Sequence, residues 1–270
     1  MNRNRAVLAV LSVSVALVLG IVWYLFQRGQ VVPRQTEAAL PAGCANVTFE
    51  SAAFIVCTVE PATQRIELHL SDKEGKLWRS VDRFAAAMRS ENLPILYAMN
   101  AGMYHEDLSP VGLFIANEER VAPLQTGSGD GNFFMKPNGV FGVYSGGQPF
   151  VASSDTYFVS PRVVEFATQS GPMLVIDGSV HPRFEQDGSS RNIRNGVGIN
   201  INGSAIFAIS REPVSFGKFA RLFRDPLGCR NALYFDGVVS AFSDNDSMIV
   251  GGKYPAGPIV AVFSKTQPTQ

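Results

Sequence analysis

Four apolar stretches of this 270-residue chain meet an Asn or Asp that has a Gly beside it or one residue on: Met99-Asn100-Ala101-Gly102, Pro137-Asn138-Gly139, Arg194-Asn195-Gly196 and Phe235-Asp236-Gly237. Singly, each has the chemistry of a turn, because Asn, Asp and Gly accept positive φ. Asp177-Gly178, followed by Ser-Val-His-Pro, reads as a plain hairpin connection. The others have company that turns do not require. Asn100 leads to Gly102-Met103-Tyr104 and Pro110-Val111-Gly112-Leu113, and Asn138 follows Gly131-Asn132-Phe133-Phe134. Gln169-Ser170-Gly171-Pro172 starts a strand, and Arg191 and Arg194 stand three apart just before the apolar strand Val197 to Ile201. Arginine presents a planar, always-charged fork that suits phosphate and carboxylate, so the pattern points to local recognition of an anion.

Other chemistries lack their residues. Histidine occurs only at positions 69, 105 and 181, in no two-histidine helical motif and beside no cysteine cluster, so no zinc site or other cofactor is expected. No Gly-x-Ser-x-Gly elbow exists. Gly127-Ser-Gly-Asp-Gly131 lacks the spacing and the Lys-Ser/Thr ending of a phosphate loop. Asp244-Asn245-Asp246 lacks the glycine and distal glutamate of an EF-hand. Formal net charge is +0, and without a long run of like charges a nucleic-acid surface is not expected.

The elements that must position these residues are mostly strands. Apolar residues make up 46% and charged residues 17% of the chain, enough to bury a substantial core. Short apolar or alternating runs bounded by Gly, Pro, Asn or Asp predict strands at Arg65 to Leu70, Ile95 to Met99, Gly112 to Ile115, Gly139 to Tyr144, Pro172 to Ile176, Gly196 to Ile201, Ala205 to Ser210, Ala232 to Phe235 and Pro258 to Phe263. Helical periodicity is confined to Val81 to Arg89 and Phe216 to Phe223, where Phe84/Met88 and Phe219/Phe223 stand four apart as core pairs. Many strands with few helices predict an α+β fold, one domain with mixed or mostly antiparallel sheets, since parallel sheets need a helix between most strand pairs.

One transmembrane helix is expected ahead of that domain. From Ala6 to Phe26 all residues are apolar or small except Ser12 and Ser14, and at about 1.5 Å per residue the run extends roughly 31 Å. Arg3 and Arg5 precede it and favour an exported body, periplasmic or at the cell surface. A cleaved secretion signal is the alternative, opposed by the bulky end Ile21 to Phe26. The expected organisation is a signal anchor at 1–29, a linker at 30–43, the domain at 44–265 and a disordered tail at 266–270. Cys44 and Cys57 flank two short stretches, Val47 to Phe49 and Ala53 to Val56, that read as a hairpin closed by a cross-strand disulfide, in keeping with an oxidising compartment. Cys229 reads as a buried free thiol.

Taken in order, Ala98-Met-Asn-Ala-Gly-Met-Tyr104, Pro110-Val-Gly-Leu113, Gly131-Asn-Phe133, Lys136-Pro-Asn-Gly-Val-Phe141, Gln169-Ser-Gly-Pro-Met-Leu174, Arg191-Asn-Ile-Arg-Asn-Gly-Val-Gly198, Phe219-Ala-Arg-Leu-Phe-Arg-Asp225 and Ala232-Leu-Tyr-Phe-Asp-Gly237 give a series that resembles the phosphodiester glycosidase family over nearly the whole body. The family's best-known member removes N-acetylglucosamine from a sugar phosphodiester on lysosomal enzymes, so the resemblance implies hydrolysis of a sugar-1-phosphodiester at the glycosidic C–O bond, releasing free sugar and a phosphate monoester. Phosphate leaves more readily than an alcohol, and one carboxylate with a phosphate clamp could suffice. The resemblance then implies Asp236 as base or nucleophile, with Arg194, joined by Arg191, holding the phosphodiester. Backbone donors near Gly171 or Gly237 would assist. Asn100, Asn138 and Ser170 would orient substrate oxygens, with Gly102 lining the same site. Two other readings stay open. One is a non-catalytic binding module for envelope glycans or phosphodiester polymers. The other is a metal-dependent phosphodiesterase, which would need clustered ligands.

Overall fold

A computed structural model describes residues 39–158 and 162–265. The expected membrane anchor at 6–26 and the tail at 266–270 lie outside them, and among the described residues no helix is long and apolar enough to cross a membrane. Leu40–Gln270 forms one compact unit.

In chain order the strands are β1 (Cys44–Phe49), β2 (Ala52–Thr58), β3 (Gln64–His69), β4 (Ile95–Asn100), β5 (Phe114–Ala116), β6 (Glu119–Ala122), β7 (Gly139–Tyr144), β8 (Pro149–Ser153), β9 (Val164–Ser170), β10 (Met173–Ile176), β11 (Ser179–Val180), β12 (Asn195–Asn200), β13 (Ala205–Ser210), β14 (Cys229–Asp236), β15 (Phe242–Asp244), β16 (Met248–Val250) and β17 (Ile259–Ser264). Helix α1 (Val81–Ser90) follows β3, the short α2 (Ser154–Phe158) follows β8, and α3 (Phe216–Arg224) precedes β14. The strands form three sheets, ordered β1-β2-β13-β12-β14-β10-β11, β16-β15-β4-β17-β3 and β6-β5-β9-β7-β8. Each pairing within them is antiparallel, in line with the α+β expectation.

The central strands are buried on both faces, which is why their sequences are continuous apolar runs instead of alternating ones. In β13, Ala205, Phe207 and Ile209 face the core shared by the three sheets. There Phe207 and Phe235 of the first sheet meet Tyr97 and Phe242 of the second and Phe141 and Phe166 of the third. Ile206 and Ala208 face outward, under Phe219, Leu222 and Phe223 of α3. Helix α1 covers the second sheet in the same way, through Val81, Phe84, Ala85 and Met88 at helical spacing. Ser80 and Ser215 cap the two helices, their Oγ atoms accepting from Arg83 N–H at 3.1 Å and Lys218 N–H at 3.2 Å. Cys229 is sealed in the α3 cluster.

The predicted hairpin at the start of the domain is present. Cys44 lies directly opposite Cys57 in the β1–β2 register, and the two are joined in a disulfide. Its turn residues, Glu50 and Ser51, have φ of 44° and 62° without a glycine. Arg221 of α3 holds that turn by a two-pronged pair to Glu50, Nε to Oε1 and Nη2 to Oε2, each at 2.7 Å. One placement is corrected: Gln169-Ser170 does not start a strand but ends β9, and β10 begins at Met173, beyond a cis Gly171–Pro172 bond.

Candidate active site

The three sheets converge at the end of β4 (Asn100), the start of β7 (Asn138-Gly139), the end of β9 (Ser170-Gly171), the start of β12 (Asn195) and the end of β14 (Asp236). Within sheets, Asn195 stands opposite Asp236 and Gly139 opposite Ser170. Between sheets, side chains make the joins. Ser170 Oγ donates to the Phe235 carbonyl at 2.9 Å, linking the third sheet to the first. Asn195 Nδ2 donates to the Asn100 carbonyl at 2.8 Å and to its Oδ1 at 3.0 Å, linking the first to the second.

Asn195, which the sequence pattern passes over as a turn residue, is the junction. Its Oδ1 accepts from Asp236 N–H at 3.2 Å and from Ser240 Oγ at 3.3 Å, so one enclosed amide ties the ends of β4 and β14 and the following loop. Asn100 Oδ1 also accepts from Ala241 N–H at 2.9 Å, while its Nδ2 is buried without a partner. Such an orphaned donor is rare in folded proteins and marks a place where polarity is kept against its cost.

Asp236 is half-buried. Its Oδ1 accepts from Gly237 N–H at 2.5 Å and Val238 N–H at 3.0 Å. Burial pushes its carboxyl above the ordinary range, against the pull of those backbone donors and of the Arg194 charge. Tyr104 lies within its field: burial first, and then the Asp236 charge, raise the phenol. The Tyr104 hydroxyl donates to the Pro255 carbonyl at 2.5 Å.

The arginines differ from the expected clamp. Arg194 is 0% exposed. Its Nε donates to the Val214 carbonyl at 2.9 Å, Nη1 to Tyr234 Oη at 3.2 Å and Nη2 to the Ser190 carbonyl at 2.9 Å. Its guanidinium lies 3.5 Å from the centre of the Phe216 ring. It therefore reaches the site through its charge, not by contact. Arg191 is on the surface, its Nη2 at 2.7 Å from Asp187 Oδ2, with side chains 43% and 57% exposed, a pairing worth little in water. Asn138 is spent on the loop before β7: Nδ2 donates to the Phe133 carbonyl at 3.0 Å and Oδ1 accepts from Lys136 Nζ at 3.3 Å. Ser170 and Asn100 are likewise enclosed. Gly171 packs against the Phe133 carbonyl and Asn138, Gly102 against Thr168 and the Gln169 carbonyl, and Gly237 against Tyr234 Oη; a Cβ at any of the three would collide with them. The expected residues thus sit about one corner, with Arg191 turned outward to Asp187, and Asp236 is the carboxylate among them that reaches solvent.

Residues 94–250, which contain that corner, match the phosphodiester glycosidase family. The chain belongs to that family. It is 35% identical over 208 residues to the uncharacterized protein YigE of Escherichia coli strain K12, a match covering 77% of this chain and 81% of YigE. Solved structures share the fold. The zebrafish N-acetylglucosamine-1-phosphodiester alpha-N-acetylglucosaminidase catalytic domain, auto-inhibited by its pro-peptide, superposes with a TM-score of 0.57 at 13% identity, covering 82% of this chain and 81% of that one. A hypothetical protein from Synechocystis gives 0.54 at 13% identity, covering 82% and 61%.

Elsewhere a groove of about 500 Å³ lies between β3, the end of α1 and the β5–β6 hairpin. Glu67 there accepts from Arg65 Nε at 2.6 Å and contacts His69 Nε2 at 3.1 Å. Arg65 and His69 lie over Phe263 and Phe84, 4.6 Å from the ring centre in both cases, so this ladder roofs the α1 cluster. Among the described residues no group of three or more His, Cys, Asp or Glu is placed to hold a metal ion.

Proposed function

We propose that this phosphodiester glycosidase family member hydrolyses a sugar-1-phosphodiester outside the cytoplasm, with Asp236 as the general base or nucleophile. The observation that carries the reading is Asp236 itself: a half-buried carboxylate with its pKa pushed upward, held at a junction of three sheets and open to solvent. A base poised nearer neutrality than an ordinary carboxylate is what proton abstraction from water calls for. In the direct route the water oxygen bonds to the anomeric carbon as its proton passes to Asp236. The C1–O bond breaks with its electron pair leaving on the phosphate oxygen, and the products are free sugar and a phosphate monoester. In the nucleophilic route the carboxylate attacks C1 first and water then releases the sugar. Asn195 and Asn100 fix the β14 end that carries the carboxylate, and Arg194 supplies a fixed positive field behind it. The Cys44–Cys57 disulfide supports an oxidising compartment.

The test is release of free sugar from UDP-N-acetylglucosamine and from the methyl phosphodiester of N-acetylglucosamine-1-phosphate by the unit Leu40–Gln270, in parallel with Asp236→Asn. Release by the parent, reduced about 10³-fold or more in the variant, is expected from loss of the reacting carboxylate. An Asp236→Asn protein as active as the parent would sink the assignment. Silence from a folded parent on both esters would favour a binding role.

A further inference from the structure

The surface around Asp236 is not uniformly polar. Val238, whose N–H is bonded to Asp236 Oδ1 at 3.0 Å, is 68% exposed. Tyr254 is 55% exposed and precedes Pro255, whose carbonyl receives the Tyr104 hydroxyl at 2.5 Å. The two loops bearing them pack together at their roots: a Cβ on Gly251 would strike the Ser240 carbonyl, and Ser240 Oγ donates to the Asp236 carbonyl at 2.9 Å. Gly251 and Gly252, with φ of 73° and 85°, turn the second loop outward so that residues 251–255 are all exposed. Isolated apolar side chains on a surface need no explanation. Here two large ones stand one on each of the loops that flank a single reactive carboxylate, as an apolar lip to the site. Lys253, beside Tyr254, is exposed and makes no hydrogen bond or ion pair with a described residue. A cation here matters because Arg194 is enclosed and the Arg191 guanidinium is turned to Asp187.

We infer that Val238 and Tyr254 form an aglycone subsite, and that the substrate is a sugar-1-phosphodiester whose phosphate carries a hydrocarbon chain, with Lys253 meeting the phosphate. This rests on the hydrolase reading above and names the leaving group's class. Hydrolysis then releases free sugar and an alkyl or polyprenyl phosphate, the chain leaving along the lip while water enters from the sugar side.

The experiment compares the methyl and dodecyl phosphodiesters of N-acetylglucosamine-1-phosphate, the latter below its micellar concentration, as substrates of Leu40–Gln270, with UDP-N-acetylglucosamine as the polar aglycone. The dodecyl ester is expected to show a kcat/KM about tenfold or more above both others, because chain methylenes leave water on binding. In Val238→Ser/Tyr254→Ser the dodecyl-to-methyl ratio is expected to fall toward one. Lys253→Gln is expected to raise KM for both lipid and methyl esters. Equal kcat/KM for methyl and dodecyl esters, or a chain preference that survives the double substitution, overturns the subsite while the hydrolase reading stands. Release from none of the three esters removes both.

Discussion

Asp236 is held in a form that opposes folding and favours chemistry. Its carboxyl is raised in the folded state, so the stability it contributes is fully present below the unfolded value of about 3.9 and is lost as pH rises through the higher folded value. At neutral pH the ionised group is a liability. Asp236→Asn is therefore expected to raise the melting temperature at pH 7 by about 2–4 °C, with the gain shrinking toward zero below about pH 4. A scanning calorimetry series across pH reads this directly. The acid limb of kcat/KM against pH should lie above the ordinary carboxylate range for the same reason, and a limb at or below about 4 would contradict it. Asn195 makes the opposite case. Removing its amide leaves the Asp236 N–H without its partner and takes one of two donors from Asn100 Oδ1, so Asn195→Ala should cost about 2 kcal/mol. It should also lower kcat far more than it raises KM, since its hold is on the reactive carboxylate. The strand-end pattern made the position of Asp236 legible in the sequence. It could not tell Asn100, Asn138 and Arg194 from ligand contacts, because an amide or guanidinium spent inside the protein has the same spelling as one that meets a substrate. Burial separates them.

At the scale of elements, apolar runs disclosed the strands that are buried on both faces, and large apolar residues four apart, Phe84/Met88 and Phe219/Phe223, disclosed α1 and α3. Strand β9 escaped because the buried second half of it, Thr168, Gln169 and Ser170, is polar. Gln169 alone satisfies four partners, its Oε1 accepting from Leu113 N–H at 3.0 Å and Gln125 N–H at 2.9 Å, and its Nε2 donating to the Gln125 carbonyl at 2.7 Å and Ser154 Oγ at 2.9 Å. A hydrophobicity pattern does not register a strand that packs through hydrogen bonds. The β1–β2 hairpin depends on a cross-link as well as on packing, because β1 is an edge strand with much of its surface exposed. Cys44 and Cys57 are 13 residues apart, and opening a loop of that size should cost about 3 kcal/mol. Cys44→Ala/Cys57→Ala is expected to melt earlier than the parent by roughly 6–12 °C, while sugar release at 25 °C persists. An unchanged melting temperature would mean the hairpin is held without the cross-link, by the β2–β13 pairing, core packing and the Glu50–Arg221 pair.

For the whole molecule, the strand order β2-β13-β12-β14-β10 joins segments far apart in the chain, and local periodicity does not encode such neighbours. The ordered series of motifs did, since their shared corner is where the three sheets end. All four apolar clusters lie within Leu40–Gln270, so that unit should unfold in one cooperative transition, its calorimetric and van't Hoff enthalpies agreeing. The chain has 3 cysteines. Two are joined to each other, and burial pushes the third thiol, at Cys229 under α3, up to about 12. The folded protein accordingly offers no ready thiolate to a maleimide. A Tyr254→Cys protein would carry a single reachable sulfur, and a polarity-sensitive dye placed there would glow or dim as a chain settled over the lip, giving an optical report of occupancy that needs no turnover.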